Sequence, residues 1–196
     1  KKHRSIEAAL NKVLTQDIWR QKRQSGALCS NDAKSCYDRV VHSFAILCML
    51  RLGCPLGPII SMFSTLQQMQ HFIGTAFGVS SNSYTSDEVP FQGLGQGNGA
   101  GPTGWAVVSA PIINMVRAAG YGATFVSALS CAIVSFACCA FVDDTDLIQT
   151  GKDGSESSLE VLQQMQEGIN LREGLVSATG GAIEVAKSTW WRMDFI

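Results

Sequence analysis

The sequence predicts an α+β fold in which helices pack on one face of an antiparallel sheet. Helix-periodic segments alternate irregularly with short apolar runs, and several of those runs end at an acidic residue. The chain has 196 residues, of which 46% are hydrophobic and only 16% are charged. Such a chain can bury one sizeable core, and its low charge suggests that partners or further domains cover part of its surface.

The individual elements follow from apolar spacing and from residues that begin or end helices. Helical spacing predicts helices over residues 1–26, 41–52, 58–66, 102–117 and 157–179. Ser157 and Glu160 form a capping box at the last of these, and Gly180 follows it. The other predicted elements are a strand at 27–31, a polar loop or hairpin tip at 78–88, two consecutive buried strands within 123–142, and a strand or hairpin at 182–195.

Charge is distributed unevenly along the chain. Residues 1–24 hold seven basic and two acidic residues, a net charge of +5, and the remainder holds eight basic and fourteen acidic residues, a net charge of −6. A basic arm joined to an acidic body suits phosphate contact at one end and metal binding at the other. The alternative is an amphipathic helix whose basic face is solvated.

Cysteine spacing argues against a zinc-binding protein, and the pattern of hydropathy and charge argues against a membrane-spanning one. Seven cysteines occur without a C-x-x-C pair, so no zinc-ligand spacing is present, and we expect small core residues in a reducing intracellular compartment. Residues 123–142 are uncharged and about long enough to span a membrane. Because Asp143, Asp144 and Asp146 follow at once without a basic flank, buried strands explain the stretch better, and we expect no membrane partner.

The segment Phe141–Asp144 places two adjacent acids between apolar runs. Adjacent carboxylates are costly there unless a cation neutralises them, and a hairpin turn can present them at the sheet edge while both strands stay buried. Hard oxygen ligands suit Mg²⁺, so Asp143 and Asp144 are candidate metal ligands. The alternative is a plain acidic turn.

A third acid, Asp32, follows another apolar strand, and Tyr37 lies five residues further on. Two strand-end carboxylate sites brought side by side can hold two metal ions about 4 Å apart, an arrangement that supports in-line phosphoryl transfer. The alternatives are a helix-capping role for Asp32 and a core position for Tyr37.

A glycine-rich segment, residues 92–101, lies between these sites and is followed by Pro102. Glycine lets the backbone approach a substrate, and a helix N-terminus directly after it favours phosphate. The segment lacks the G-K-[ST] pattern of a P-loop, and the acid expected about twenty residues after a dinucleotide-binding motif is missing. The alternative is a flexible turn.

These motifs resemble those of reverse transcriptases, and they occur in the same order along the chain. Residues 32–40 resemble the first palm motif, residues 96–102 the second, and residues 141–144 the third. Residues 180–188 resemble the fourth motif, and residues 3–8 resemble the basic fingers segment of retroelement enzymes. The similarity covers nearly the whole chain and is closest to eukaryotic retroelements of the non-long-terminal-repeat kind.

This resemblance implies a polymerase palm with part of the fingers. Residues 1–26 would be the basic fingers helix, and residues 27–196 the palm, with an inserted fingers-like segment around 53–90. A thumb and flanking domains would lie elsewhere in the same polyprotein. The implied activity is RNA-directed DNA polymerisation, in which a DNA or RNA primer is extended on an RNA template with dNTP and two Mg²⁺ ions, for which Mn²⁺ can substitute. The alternatives are an RNA-templated RNA polymerase and an inactive nucleic-acid-binding remnant.

The resemblance also implies roles for individual residues. Asp32 and Asp143 would ligate the metal ions, helped by the backbone carbonyl of Ala33, and Asp144 would complete the acidic cluster. Tyr37 would pack under the incoming sugar and reject a 2′-hydroxyl. The remaining implied roles are the nucleotide and template pocket for Gln96 and Gly97, a proton donor or charge partner of the leaving pyrophosphate for Lys187, and a triphosphate or template contact for Arg4.

Overall fold

The computed structural model describes residues 5–83, 92–151 and 156–195. It divides into two compact units, one made of Lys1–Cys36 and Ser109–Ile196 and the other of Tyr37–Val108. The helices are α1 Ser5–Lys22, α2 His42–Arg51, α3 Leu56–Gln68, α4 Gly101–Ala118 and α5 Ser158–Ala178. The strands are β1 Gly26–Asp32, β2 Gly74–Thr75, β3 Gly78–Val79, β4 Ala123–Val126, β5 Ile133–Phe136, β6 Cys138–Phe141, β7 Asp144–Thr150 and β8 Thr189–Met193.

Four strands of the first unit form an antiparallel sheet in the order β6-β7-β1-β8. β1 pairs with β7 along its whole length, from Gly26 opposite Thr150 to Asp32 opposite Asp144. On its other side β1 pairs with β8. The α+β class predicted from the sequence is therefore confirmed, and the acidic ends of β1 and β7 lie at the same edge of the sheet.

Alternate residues of the central strands pack on opposite faces of the sheet. One face packs against α1 and the β4–β5 hairpin, in a cluster formed by Trp19, Leu28, Ala123, Phe125 and Ile148. The other face packs against α5, in a cluster formed by Ala27, Cys29, Leu147, Val161 and Met165. The expectation of helices on one face alone was wrong, because both faces of β1 and β7 carry apolar residues that need cover.

The uncharged stretch 123–142 forms three short strands instead of two buried ones. β4 and β5 pair with each other, and β6 joins the main sheet beside β7. Three of the four β5 residues are exposed, because β5 is the outer strand of a separate two-stranded hairpin. In the described part of the chain, no helix has the length and apolar character needed to cross a membrane.

The cysteines were expected to be core residues, and this is true of only some of them. Cys29 and Cys36 are buried, whereas Cys54 and Cys131 are exposed. Cys54 follows the end of α2, and Cys131 lies in the β4–β5 connection with a positive φ of 54°. An apolar neighbourhood in sequence therefore did not guarantee burial. All seven cysteines lie in the described ranges, and none forms a disulfide.

The second unit packs α2 against α3 around the ring of buried His42, which also tilts against Phe63. His42 Nε2 lies 2.6 Å from the carbonyl oxygen of Gly93, and its Nδ1 lies 3.1 Å from Nε2 of Gln67. The backbone N–H of His42 donates to Oε1 of Gln92 at 2.9 Å. His42 thus attaches the start of the glycine-rich segment to α2 and α3.

Three predicted boundaries of the second unit can be compared with the structure. α3 begins at Leu56 with Pro55 as its N-cap, two residues before the predicted start at Pro58. α4 begins at Gly101, directly before Pro102, as predicted. The predicted polar loop begins within the β2–β3 hairpin, and its residues 84–88 lie outside the described residues.

Candidate active site

The β6–β7 connection is a tight hairpin turn at the end of the sheet. Phe141 of β6 pairs with Asp144 of β7, so Val142 and Asp143 are the two turn residues. Val142 has a φ of 57°. A β-branched residue rarely adopts this conformation, and such strain is concentrated at functional sites. The turn predicted from the adjacent acids is confirmed, and it places Asp143 at the tip.

The three predicted aspartates come from two neighbouring strand ends. Asp32 is the last residue of β1 and lies directly opposite Asp144, the first residue of β7. Residues directly opposite on antiparallel strands point to the same face, with Cβ atoms about 4.5–5.5 Å apart. The structure therefore brings Asp32 and Asp144 together, with Asp143 next to them in the turn.

The sequence interpretation missed Asp146 as a member of this acidic group. Because strand residues two apart share a face, Asp146 lies on the same face as Asp144, opposite Ser30 of β1. This period of two was visible in the sequence and could have identified the residue. Asp146 Oδ2 accepts a hydrogen bond from Nζ of Lys12 in α1 at 2.7 Å.

Several carboxylates lie close to one another at this end of the sheet. Partial burial and, after it, three neighbouring carboxylates raise the pKa of the Asp144 carboxyl above its usual value, and the Lys12 ammonium opposes this effect. The three neighbours are Asp143, Asp32 and Asp146. Nζ of Lys187 lies 3.3 Å from Oδ2 of Asp32. Two lysines from distant parts of the chain thus neutralise part of the acidic edge.

The donor chemistry of this edge fits a hard divalent cation. Carboxylate oxygens are the ligands that Mg²⁺ prefers, and a raised carboxyl pKa marks a place where added positive charge is favourable. Within residues 5–83, 92–151 and 156–195, however, no three His, Cys, Asp or Glu side chains lie close enough together to hold a metal ion. Lys187 instead pairs with Asp32.

Residues 182–188 form a strap that is hydrogen bonded to the end of β1. The Glu184 N–H donates to the Asp32 carbonyl at 2.9 Å, and the Lys34 N–H donates to the Ala182 carbonyl at 2.9 Å. Between these two hydrogen bonds, buried Ala33 and Ile183 form an isolated antiparallel β-bridge. The predicted strand or hairpin at 182–195 is thus this strap, with a 3-10 turn at Val185–Lys187, followed by β8. The strap thereby places the Lys187 side chain next to Asp32.

The remaining predicted site residues belong to the second unit or lie outside the described residues. The carbonyl of half-buried Tyr37 accepts a hydrogen bond from the Leu94 N–H at 2.8 Å, which joins the first motif to the glycine-rich segment. Gln96 and Gly97 are exposed in a turn, where Gly97 has a φ of 89°. Arg4 lies outside the described residues.

Solved telomerase structures share this architecture. The Candida albicans telomerase in complex with the TWJ fragment of telomeric RNA matches with a TM-score of 0.66 and 12% identity, over 96% of this chain and 30% of that one. The apo telomerase of Candida tropicalis, truncated from the C-terminal domain, matches with a TM-score of 0.57 and 13% identity, over 98% of this chain and 36% of that one. The fold is reverse-transcriptase-like.

This similarity concerns the fold alone, because identity is low. The chain spans about a third of the length of these telomerase chains, since it covers 36% and 30% of them. No protein-family model matches the chain, and no curated protein matches it.

Proposed function

We propose that this chain is the catalytic palm, with part of the fingers, of an RNA-directed DNA polymerase of the non-long-terminal-repeat retroelement kind. One observation carries the proposal: Asp32 and Asp144 are cross-strand partners at the end of the sheet, with Asp143 in the adjoining turn. Carboxylates from two strand ends are the arrangement that two-metal phosphoryl transfer uses. The reverse-transcriptase-like fold supports this reaction class.

In this proposal Asp32 and Asp143 hold two Mg²⁺ ions, with help from the carbonyl of Ala33, and Asp144 completes the acidic group. The metal ions supply positive charge to the attacking and leaving oxygens. Lys187, held by the strap, is the counter-ion of Asp32 when metal is absent and a charge partner for the leaving pyrophosphate during the reaction. Mn²⁺ can replace Mg²⁺ at such carboxylate sites.

The proposed substrate contacts rest on the resemblance of the sequence motifs to those of reverse transcriptases, and the RNA partner also on the structural neighbours. Tyr37 excludes the 2′-hydroxyl of a ribonucleotide, and Gln96 and Gly97 line the nucleotide and template pocket. Arg4 contacts the triphosphate or the template. The partners are an RNA template, a primer and dNTP, and an RNA partner is supported by the neighbour solved with telomeric RNA.

Primer extension tests this activity. The wild-type polypeptide, joined to the thumb and remaining fingers of its own polyprotein, should extend a primer on an RNA template with dNTP and Mg²⁺. Asp143→Ala should abolish extension, and Asp17→Ala, an exposed change on α1, should leave it intact. Retained activity in Asp143→Ala would contradict the site assignment. Preference for NTP over dNTP would instead favour an RNA-templated RNA polymerase.

Metal binding tests the site in the chain itself. Mn²⁺ titration followed by electron paramagnetic resonance should detect binding that Asp32→Asn weakens at least tenfold, because one carboxylate ligand is lost. Asp17→Asn is the matched control, since its carboxylate pairs only with Arg20 among the ion pairs of the described residues. Equal Mn²⁺ affinity in Asp32→Asn and wild type would sink the two-carboxylate site. Absence of all binding would favour the inactive remnant.

A further inference from the structure

Arg172 of α5 is a buried cation without an acidic partner among the described residues. Its side chain is only 3% exposed, and no carboxylate in the described ranges forms an ion pair with it. Its Nε has no hydrogen-bond partner among the described atoms. Burial lowers the pKa of Arg172 and raises that of the neighbouring Cys138 thiol to about 12. That thiol is therefore neutral near pH 7 and gives Arg172 no counter-charge.

A hydrogen bond of the Arg172 guanidinium leads towards the candidate active site. Arg172 Nη1 donates to Oδ1 of buried Asn31, the residue next to Asp32. Asn31 Nδ2 in turn donates to Oγ of Ser188 at 3.2 Å, and Ser188 Oγ donates to the carbonyl of Glu184 at 3.0 Å. Glu184 lies in the strap that is bonded to the end of β1.

This chain of bonds lies on the sheet face opposite the acidic group. Successive strand residues point to opposite faces, so Asn31 points towards α5 while Asp32 points to the face of Asp144. Arg172 orients the Asn31 amide, because Oδ1 accepts from the guanidinium and only Nδ2 remains to donate to Ser188. Asn31 precedes Asp32 in sequence, and Ser188 follows Lys187. The hydrogen bonds thus fix the residues next to both members of the Lys187–Asp32 ion pair, on the opposite face of the sheet.

We propose that Arg172 is a positioning residue that acts through Asn31 and Ser188 to hold Asp32 and Lys187 in register with each other. This inference rests on the polymerase function proposed above for Asp32 and Lys187. A purely structural role explains the buried guanidinium poorly, because a well-packed apolar side chain of similar volume is often neutral or stabilising at a buried charged position. Stability and site geometry should therefore respond differently to its replacement.

Hydrogen exchange of the full chain tests the positioning without any need for activity. In Arg172→Met and in Ser188→Ala, exchange of the Glu184 amide should accelerate at least tenfold, while amides in the middle of β7 should be unchanged. Matched controls are Arg117→Met, an exposed arginine of α4, and Ser177→Ala, an exposed serine of α5. Unchanged Glu184 exchange in both Arg172→Met and Ser188→Ala would overturn the inference. Ser188→Ala keeps the test decisive if Arg172→Met fails to fold.

Primer extension supplies the second readout. Arg172→Met should lower kcat about tenfold with KM for dNTP within twofold of wild type, and Arg172→Lys should restore part of the rate. The double variant Arg172→Met with Ser188→Ala should be no slower than the slower single variant, because both act through one chain of bonds. Wild-type kcat in a folded Arg172→Met would overturn the inference. An inactive wild type with accelerated Glu184 exchange in the variants would refute the polymerase proposal and leave the positioning intact.

Discussion

Asp144→Asn should stabilise the folded chain near neutral pH, although it removes a residue of the candidate active site. Asp144 lies directly opposite Asp32, and partial burial and neighbouring carboxylates raise its pKa. Like charges directly opposite on antiparallel strands destabilise by roughly 0.2–1 kcal/mol. For a chain of this length, relief of that repulsion corresponds to a rise in Tm of up to about 4 °C.

The sign of the Asp144 pKa shift determines how this gain depends on pH. Below the ordinary Asp value of 3.8 the carboxyl is protonated in both folded and unfolded chains, so the substitution changes little. As pH rises, the unfolded chain loses its proton first, and the folded wild type loses stability until pH passes the raised folded-state pKa. The difference in Tm between Asp144→Asn and wild type should therefore reach its full size near pH 7 and nearly vanish below the ordinary pKa of Asp.

Thermal unfolding followed by circular dichroism at these two pH values, without divalent metal, measures the effect. Asp17→Asn is the matched control: Asp17 accepts from Arg20 at 2.9 Å within α1, and the loss of this pair should lower stability by about 0.2–0.5 kcal/mol. The two substitutions should thus change Tm in opposite directions. A lower Tm for Asp144→Asn near pH 7 would refute the cost that partial burial and neighbouring carboxylates impose on the charged Asp144 side chain.

Substitutions at three backbone positions give further tests, and the midpoint of urea unfolding measures the effect of each. Gly26→Ala puts a Cβ into the space of the buried Trp19 ring and should cost about 1–3 kcal/mol. Gly57→Ala, with open space around it in α3, should instead stabilise by about 0.5 kcal/mol. Val142→Gly should stabilise by about 1 kcal/mol because it removes strain at a φ of 57°, and an equal gain in Val142→Ala would contradict that cause.

Short sequence patterns correctly predicted features that are determined by residues close together in the chain. The Ser157–Glu160 capping box was recognised from two residues, and both of its hydrogen bonds are present in the structure. The start of α4 followed from Pro102, because proline is favoured at the first position of a helix. The acidic hairpin turn after Phe141 followed from two acids between apolar runs. Each of these depends on residues that are close in sequence.

The missed features depend on contacts between residues that are distant in sequence. The two strand ends were expected side by side, but the exact register that sets Asp32 opposite Asp144 joins residues 112 positions apart, and no local pattern specifies it. Arg172 occupies a helix whose other charged residues face solvent or cap its end, so an exposed position was the ordinary expectation. The exposure of β5 depends on which strand pairs with it, and apolar composition alone does not reveal that.

Lys187, which pairs with Asp32, and Arg172, which bonds to the adjacent Asn31, differ in how easily they can move, and this difference suits the proposed metal site. Lys187 is 72% exposed at its side chain, and an exposed ion pair contributes at most about 1 kcal/mol, so an entering divalent cation can displace it at little cost. Arg172 is buried behind β1 and held by Asn31, so it stays in place during that exchange. The hydrogen bond from Glu184 of the strap to Asp32 joins backbone atoms and does not depend on the Lys187 side chain. If the metal ions of the proposed function bind there, the end of β1 would exchange a lysine for a metal ion while its backbone remains fixed.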